Sequence, residues 1–229
     1  IAAQQAALTN TAYAQSAIGA VSMGQYALFT QAGFSPDMVA GHSFGELSAL
    51  CAAGVISQAD YYQLAFARGQ AMAATPADQD PGTMYAIIVP PQATEQGVNQ
   101  LESCISAFDG VKVANYNAPT QLVIAGPTEA CAEAAKAVTA ELGFKAIALP
   151  VSGAFHTPLV GHAQQPFAKA INKVKFAKPK VALFANGTGK LHPSNGKAIQ
   201  TAFSEHMLQS VRFSEQLVAM YDAGARVFV

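Results

Sequence analysis

The sequence contains little charge. Only 12% of its 229 residues are Asp, Glu, Lys or Arg, the net charge is −1, and residues 1–36 carry no charge at all. This composition gives no electrostatic footprint for a nucleic acid or an anionic membrane, so we predict neither as a partner. Because 51% of the residues are hydrophobic, the chain is typical of a compact enzyme whose apolar surface is partly covered by neighbouring domains.

Long apolar runs, a leader segment and paired cysteines are missing as well. Glutamine and asparagine interrupt residues 1–36, so this stretch lacks the run of about 18 apolar residues that a membrane span needs. No basic segment precedes an apolar one, as it would in a secretory signal. Cys51, Cys104 and Cys131 are odd in number and lack metal-binding spacing, which favours reduced thiols in a cytoplasmic protein and no metal site.

The hexapeptide G-H-S-F-G-E at residues 41–46 is the feature around which the sequence is organised. It follows an extended stretch, residues 37–40, and precedes a helix-forming stretch, residues 47–53. In this context G-x-S-x-G forms a nucleophile elbow, in which glycines permit a sharp turn and the serine oxygen is held exposed. Ser43 is therefore a candidate nucleophile, although the hexapeptide alone also fits an ordinary turn between a strand and a helix.

His156 is the candidate base for this serine. It comes directly after a predicted strand and before a predicted helix, so its ring lies at the end of a sheet element, where sites are commonly built. His162 follows in the helix and His192 lies in a loop with proline and glycine. For both of these histidines a solvated structural role is favoured.

Arg68 is the candidate group for binding an anion. It lies in a largely apolar helix, where burial of an unpaired guanidinium would be costly. A salt bridge to a carboxylate such as Asp78 or Asp80 would explain its presence. A bidentate contact with the carboxylate of a substrate would explain it equally well.

A small domain is predicted within residues 83–151. Its elements alternate as β-α-β-β-α-β over about 70 residues, which is the order of a ferredoxin-like unit inserted into a larger domain. Helices and one strand follow it, and residues 226–229 are predicted to form a final strand. The fold class is therefore α/β.

Four motifs together resemble the malonyl-CoA:acyl-carrier-protein acyltransferase family. In chain order they are GHSFGE at residues 41–46, RGQAM at 68–72, NYNAPTQLVIAG at 115–126 and GAFH at 153–156. The resemblance covers nearly the whole chain. The sequences of the four motifs are most similar to those of the acyltransferase domain of bacterial polyunsaturated fatty acid synthases, which are multidomain relatives of polyketide synthases. The resemblance implies an α/β-hydrolase-like large subdomain with a parallel sheet, in residues 1–82 and 152–229, around the ferredoxin-like small subdomain, residues 83–151.

The resemblance also implies a transfer reaction without a bound cofactor. Ser43 would attack the thioester of malonyl-CoA with His156 as base, and Arg68 would bind the malonyl carboxylate. The acyl serine would then pass the malonyl group to the phosphopantetheine thiol of an acyl carrier protein. The carrier domain and neighbouring ketosynthase-like domains are the implied partners.

Further residues are carried over from the family. The backbone N–H of Phe44 would stabilise the oxyanion, and the rings of Phe44 and Phe155 resemble the malonyl-type pattern that excludes an α-methyl branch, a preference worth only about 1–3 kcal/mol. Asn117 and Gln121 match the substrate-binding motif. His206 falls where the family usually has Gln or Asn, and it is the candidate for orienting His156 through a main-chain carbonyl.

The match is incomplete at both ends, and other functions stay open. The Gly-Gln-Gly motif that supplies a second oxyanion contact has no counterpart in residues 1–36, and a C-terminal Gly-Pro-Gly turn is missing, so we expect a piece of a longer protein. The alternative enzyme is a serine esterase or thioesterase of the α/β-hydrolase class, which needs an acid such as Asp109 or Glu129. A non-catalytic scaffold domain is disfavoured because serine, histidine and arginine are all present.

Overall fold

Two sheets organise the part of the chain that the computed structural model describes, which is Leu8 and residues 10–229. In chain order the strands are β1 (Met38–Val39), β2 (Thr83–Ile88), β3 (Lys112–Ala118), β4 (Gln121–Gly126), β5 (Lys145–Ala148) and β6 (Ala182–Leu183). The α-helices are α1 (Thr11–Gln31), α2 (Gly45–Ala52), α3 (Gln58–Ala73), α4 (Thr94–Ile105), α5 (Thr128–Leu142), α6 (Gly161–Ile171), α7 (Gly196–Glu205) and α8 (Phe213–Asp222).

The antiparallel sheet has the strand order β3-β4-β2-β5, with α4 and α5 packed on one face. Side chains alternate along β4: Leu122 and Ile124 face the helices, whereas Val123 and Ala125 face Ala154 of the chain that follows. All three neighbouring pairs of strands run antiparallel. This arrangement confirms the predicted ferredoxin-like insert.

The parallel pair, β1 and β6, lies in the large subdomain among helices α1, α2, α3, α6 and α7. Its core includes the edge-to-face pair Phe167 and Phe203, with ring centroids 5.9 Å apart, and buried leucines of α2. Each such fully buried side chain stabilises the fold by about 1.5–3 kcal/mol. The fold class is thus the predicted mixture of a parallel and an antiparallel sheet, while the boundaries at residues 82/83 and 151/152 stay predictions.

The carboxyl ends of β1 and β6 place the functional segments. Residues 41–46 follow β1, and Asn186 follows β6; because the two strands are parallel, both segments emerge at the same edge. A side chain at Gly41 would meet the backbone of Gly45 at 2.0 Å, so only glycine allows the chain to turn this sharply into α2.

Helix α1 carries no charged residue and is only weakly amphipathic. Asn10 caps it by accepting a hydrogen bond from the N–H of Ala12, and the helix packs chiefly on α3 with Gln15 and Met23 turned inward. None of the helices that the structure describes, α1 included, is both long enough and apolar enough to cross a membrane.

The predicted strand at residues 226–229 is wrong. These residues follow α8 as irregular chain, and Val229 is 91% exposed. A strand requires a neighbour for its hydrogen bonds, and residues 226–229 find none among the described residues.

Candidate active site

Ser43 lies in a strained turn between β1 and α2. Its φ angle is +52°, a left-handed conformation that costs a residue other than glycine about 1–2 kcal/mol. The strain turns the side chain out of the elbow, as the G-x-S-x-G motif predicted. The N–H of the next residue, Phe44, makes no hydrogen bond within the described part of the chain and so can still donate one.

His156 meets Ser43 across the fold. Its Nε2 lies 2.7 Å from the serine Oγ, and its Nδ1 donates to the main-chain carbonyl of Gln209 at 2.9 Å. A carbonyl only accepts, so the proton of the neutral ring is on Nδ1 and Nε2 is free to accept from the serine hydroxyl. This is the arrangement of a nucleophile, a base and a group that orients the base.

The protonation state of His156 suits a base. Its pKa is lowered to about 3, chiefly by burial and then by the positive charges of Arg68 and His42, whereas the hydrogen bond to the Gln209 carbonyl opposes the shift. The ring is therefore neutral at neutral pH and can take a proton from Ser43.

Arg68 is 1% exposed and lies behind the elbow, with its guanidinium carbon 6.0 Å from the centre of the Phe44 ring. One nitrogen, Nη1, donates to Oε1 of Gln15 at 2.7 Å, whereas Nε and Nη2 find no partner among the described residues. Burial lowers the pKa of Arg68 to about 10, and the negative charge of Glu46 opposes that shift, so the group stays charged. An incoming carboxylate would satisfy these N–H groups.

Comparison with known proteins agrees with this geometry. Residues 1–229 match the family described as the acyl transferase domain. The chain belongs to that family. It is 34% identical to a polyunsaturated fatty acid synthase polypeptide of Thraustochytrium sp. over 96% of the chain, and 37% identical to the phenolphthiocerol synthesis polyketide synthase Pks15/1 of Mycobacterium marinum over 98%.

Among solved structures, the malonyl CoA-acyl carrier protein transacylase of Coxiella burnetii has a similar fold, with a TM-score of 0.86 and 30% identity over 96% of the chain. The chain spans 69% of that transacylase, but only 7% of the Thraustochytrium synthase polypeptide and 10% of the Mycobacterium marinum synthase.

The carbonyl that orients His156 in this acyltransferase domain belongs to Gln209, three residues beyond the predicted His206. The His206 main chain supplies only a weaker influence on the pKa of His156. The His206 ring turns elsewhere, because its Nδ1 donates to the carbonyl of Phe203 and the ring stacks on Phe203 at 4.2 Å. The acid that the hydrolase alternative requires is also not found at Nδ1, since a carbonyl occupies that place.

The segment after Gln209 pairs with the small subdomain. The N–H of Tyr116 donates to the Val211 carbonyl at 2.8 Å, and the N–H of Val211 donates to the Ala114 carbonyl at 2.8 Å. Val211 thus forms an isolated parallel bridge with Asn115 beside the antiparallel sheet. The segment of the large subdomain that orients His156 is therefore hydrogen-bonded to the small subdomain.

The predicted substrate-binding residues Asn117 and Gln121 lie in a hydrogen-bonded row with His42. The His42 Nε2 and the Asn117 Oδ1 are 2.7 Å apart, and the Asn117 amide donates to Gln121 at 3.3 Å. Because His42 precedes Ser43, this row adjoins the elbow. Phe155 is half-buried and packs against both the large-subdomain core and the second face of the antiparallel sheet.

Salt bridges from Arg68 to Asp78 or Asp80, which the sequence left open, are not formed among the described residues. Asp80 accepts hydrogen bonds from the backbone and hydroxyl of Thr128 instead, and these bonds lower its pKa. His192 is also not solvated as predicted, because it is buried with its Nε2 2.8 Å from a carboxylate oxygen of Glu46.

Three residues of the site were not found from the sequence: Gln15, Asn186 and Gln209. Gln15 lies in a helix rich in alanine and glutamine, so its residue type does not distinguish it from its neighbours. Gln209 contributes a backbone carbonyl, which every residue has. Asn186 precedes glycine, and this dipeptide is typical of an ordinary turn. Its amide contacts the elbow on both sides of His42.

Buried neutral histidines are expected to make this domain sensitive to acid. Burial lowers the pKa of both His156 and His206, whereas the same groups titrate near about 6.5 in an unfolded chain. Below about pH 6.5 the unfolded state binds more protons than the folded state. The contribution of the neutral histidines to the free energy of unfolding is complete above that pH, and it is lost as the pH falls towards the pKa values of the folded state. We expect urea titrations to show the free energy of unfolding falling by up to about 1.4 kcal/mol per pH unit for each histidine.

The substitution His206→Gln tests this expectation, because it removes one of the two buried histidines. The free energy of unfolding of this variant should therefore decrease less steeply as the pH falls. Lys178→Gln is the control at an exposed ionisable side chain and should keep the dependence of the parent protein. Identical pH dependence in all of these proteins would contradict the assignment.

Proposed function

We propose that the domain transfers a malonyl group from malonyl-CoA, through an ester on Ser43, to the phosphopantetheine thiol of an acyl carrier protein. The observation that carries this proposal is the buried Arg68 beside the pair of Ser43 and His156, with unpaired N–H groups among the described residues. A buried cation that makes no salt bridge among the described residues is costly, and the free carboxylate of a malonyl group would compensate that cost when substrate binds.

In the first half of the reaction, the Ser43 Oγ attacks the thioester carbonyl as its proton moves to Nε2 of His156. The N–H of Phe44 donates to the oxygen that becomes negative, which is worth about 3 kcal/mol in comparable sites. The carbon–sulfur bond then breaks, and His156 returns the proton to the thiolate of CoA. The malonyl group remains as an ester on Ser43.

In the second half, a carrier-bound thiol replaces CoA. Its proton moves to Nε2 of His156 as the sulfur attacks the ester carbonyl, and the bond between carbon and the Ser43 Oγ breaks. Ser43 regains the proton, so the free enzyme is restored in a ping-pong cycle. The Gln209 carbonyl keeps the same tautomer of His156 through both halves.

The choice of acyl group and the binding of the pantetheine arm are proposed from the flanking residues. The rings of Phe44 and Phe155 would leave no room for an α-methyl branch, so malonyl would be preferred over methylmalonyl. Asn117 and Gln121 would contact the arm with their amides, next to His42. No bound cofactor takes part in this scheme.

The relatives support the same substrates and partners. The matched Coxiella burnetii structure is a malonyl CoA-acyl carrier protein transacylase, and two matched relatives, from a fatty acid synthase and a polyketide synthase, are far longer than this chain. We therefore propose a carrier domain and ketosynthase-like domains as partners within a synthase. A cytoplasmic location, predicted from the unpaired cysteines, is proposed with it.

Intact-protein mass spectrometry tests the proposal directly. After incubation of the full-length polypeptide with malonyl-CoA, we expect a malonyl adduct on Ser43 that disappears when an acyl carrier protein with a free phosphopantetheine thiol is added. Methylmalonyl-CoA should load more slowly, by about 10- to 100-fold. The substitution Ser43→Ala is the control and should take up no acyl group. An adduct lost only to water, with none on the carrier, would identify a hydrolase and contradict the proposal.

A further inference from the structure

We propose that Asn186 is a positioning residue that holds Ser43 in its reactive conformation. This inference rests on the proposed role of Ser43 as nucleophile. It concerns a residue that touches the backbone of the elbow and acts through Ser43.

The side chain of Asn186 bridges the elbow. Its Oδ1 accepts a hydrogen bond from the N–H of Ser43 at 2.6 Å, and its Nδ2 donates to the carbonyl of Gly41. Asn186 is almost fully buried, so water does not compete for these groups. The side-chain amide suits this place at every pH, since it presents one acceptor and one donor side by side.

Both main-chain groups of Asn186 are fixed as well. Its N–H points to a carboxylate oxygen of Glu46 at 3.4 Å, and Glu46 is itself held by His192. Its carbonyl accepts from the N–H of Arg212 at 2.9 Å, three residues beyond Gln209, whose carbonyl orients His156. Asn186 therefore joins the turn that carries the nucleophile to the segment that supports the base.

This bridge has a chemical consequence for the elbow. Ser43 has a positive φ angle, which a residue other than glycine keeps only when its surroundings impose it. Asn186 imposes it by tying down the peptide groups on both sides of His42. It also occupies the Ser43 N–H, which leaves the N–H of Phe44 for the substrate. Loss of the bridge would let the turn relax and move Oγ away from His156.

The substitution Asn186→Ala tests the inference in the full-length polypeptide. In single-turnover experiments we expect the rate constant for acylation of Ser43 by malonyl-CoA to fall about 100-fold, the usual cost of misplacing a reacting atom by about 1 Å. The KM should stay within about twofold, because the group that binds the malonyl carboxylate is untouched. The matched control Asn172→Ala, at an exposed asparagine that ends α6, should acylate like the parent protein.

The substitution Asn186→Asp gives a readout that a purely structural role would not produce. The carboxylate keeps an acceptor for the Ser43 N–H but sets an oxygen against the Gly41 carbonyl. Burial beside Glu46 raises the pKa of such a carboxyl, and its protonated form can donate to Gly41 again. The acylation rate of this variant, as a fraction of the parent rate at each pH, should therefore rise as the pH falls.

Two results would overturn the inference. One is an alanine variant whose acylation rate lies within twofold of the parent rate. The other is an aspartate variant whose acylation rate is the same fraction of the parent rate at all pH values. The second measurement decides the matter if the alanine variant does not fold. Labelling of Ser43 by a fluorophosphonate, which needs no malonyl group, should fall in parallel. If the parent protein reacts with the fluorophosphonate but takes up no malonyl, the proposed function fails while the role of Asn186 is still tested.

Discussion

Replacing Arg68 by alanine is expected to lower the rate of malonyl loading onto Ser43 by about 10³-fold, because the substrate carboxylate then enters a buried site without its cation. Acetyl loading should be retained or rise, since an acetyl group has no carboxylate to pair and gains the vacated space. Parallel reactions with malonyl-CoA and acetyl-CoA, followed by intact mass, measure both rates.

The same variant has a second expected signature. The positive charge of Arg68 is among the causes that lower the pKa of His156, so its removal should raise that pKa and move the acid limit of acetyl loading to higher pH. Arg226→Ala is the matched control at an exposed arginine and should leave both loading rates unchanged. Undiminished malonyl loading in the Arg68 variant would show that the carboxylate is bound elsewhere.

Replacing His156 by alanine is expected to slow acylation by about 10²- to 10⁴-fold, the usual contribution of a positioned general base. In the parent protein the rate should stay nearly constant from neutral pH down to about pH 5, because a base works when neutral and the pKa of His156 is about 3. The rate should then fall as the pH approaches that value.

His162→Gln provides the comparison within the neighbouring helix α6 and should load malonyl at the parent rate. A loss of activity in the parent protein centred near about pH 6.5 would mean that the base is an ordinary solvated histidine. Such a result would contradict the buried geometry of His156.

The fold and the site differed in how much of them could be predicted. The succession of strand and helix patterns in residues 83–151 predicted the ferredoxin-like insert, because β-α-β-β-α-β is the element order of that unit. The parallel pair was harder, since β1 and β6 are two residues long and carry no period. Residues 226–229 were predicted to form a strand from their apolar side chains, yet a strand also needs a neighbour.

The site was predictable where function depends on residue type. Ser43, His156 and Arg68 carry reactive or charged side chains in recognisable contexts, and the structure brings them to one place. Gln209 acts through its backbone, which any residue has, and its identification required the fold. Asn186 forms hydrogen bonds to residues 140 or more positions away, a distance that no local pattern encodes.

The attachment of Ser210 and Val211 to β3 limits how the two subdomains can move apart. Gln209, one residue earlier, holds the ring of His156, so prying the two subdomains apart along this edge would pull the carbonyl from Nδ1 and let the ring rotate. In the proposed reaction the two subdomains therefore have to stay together along this edge while CoA leaves and the carrier-bound thiol enters. The slender, extended pantetheine arm of the proposed substrates would meet that condition.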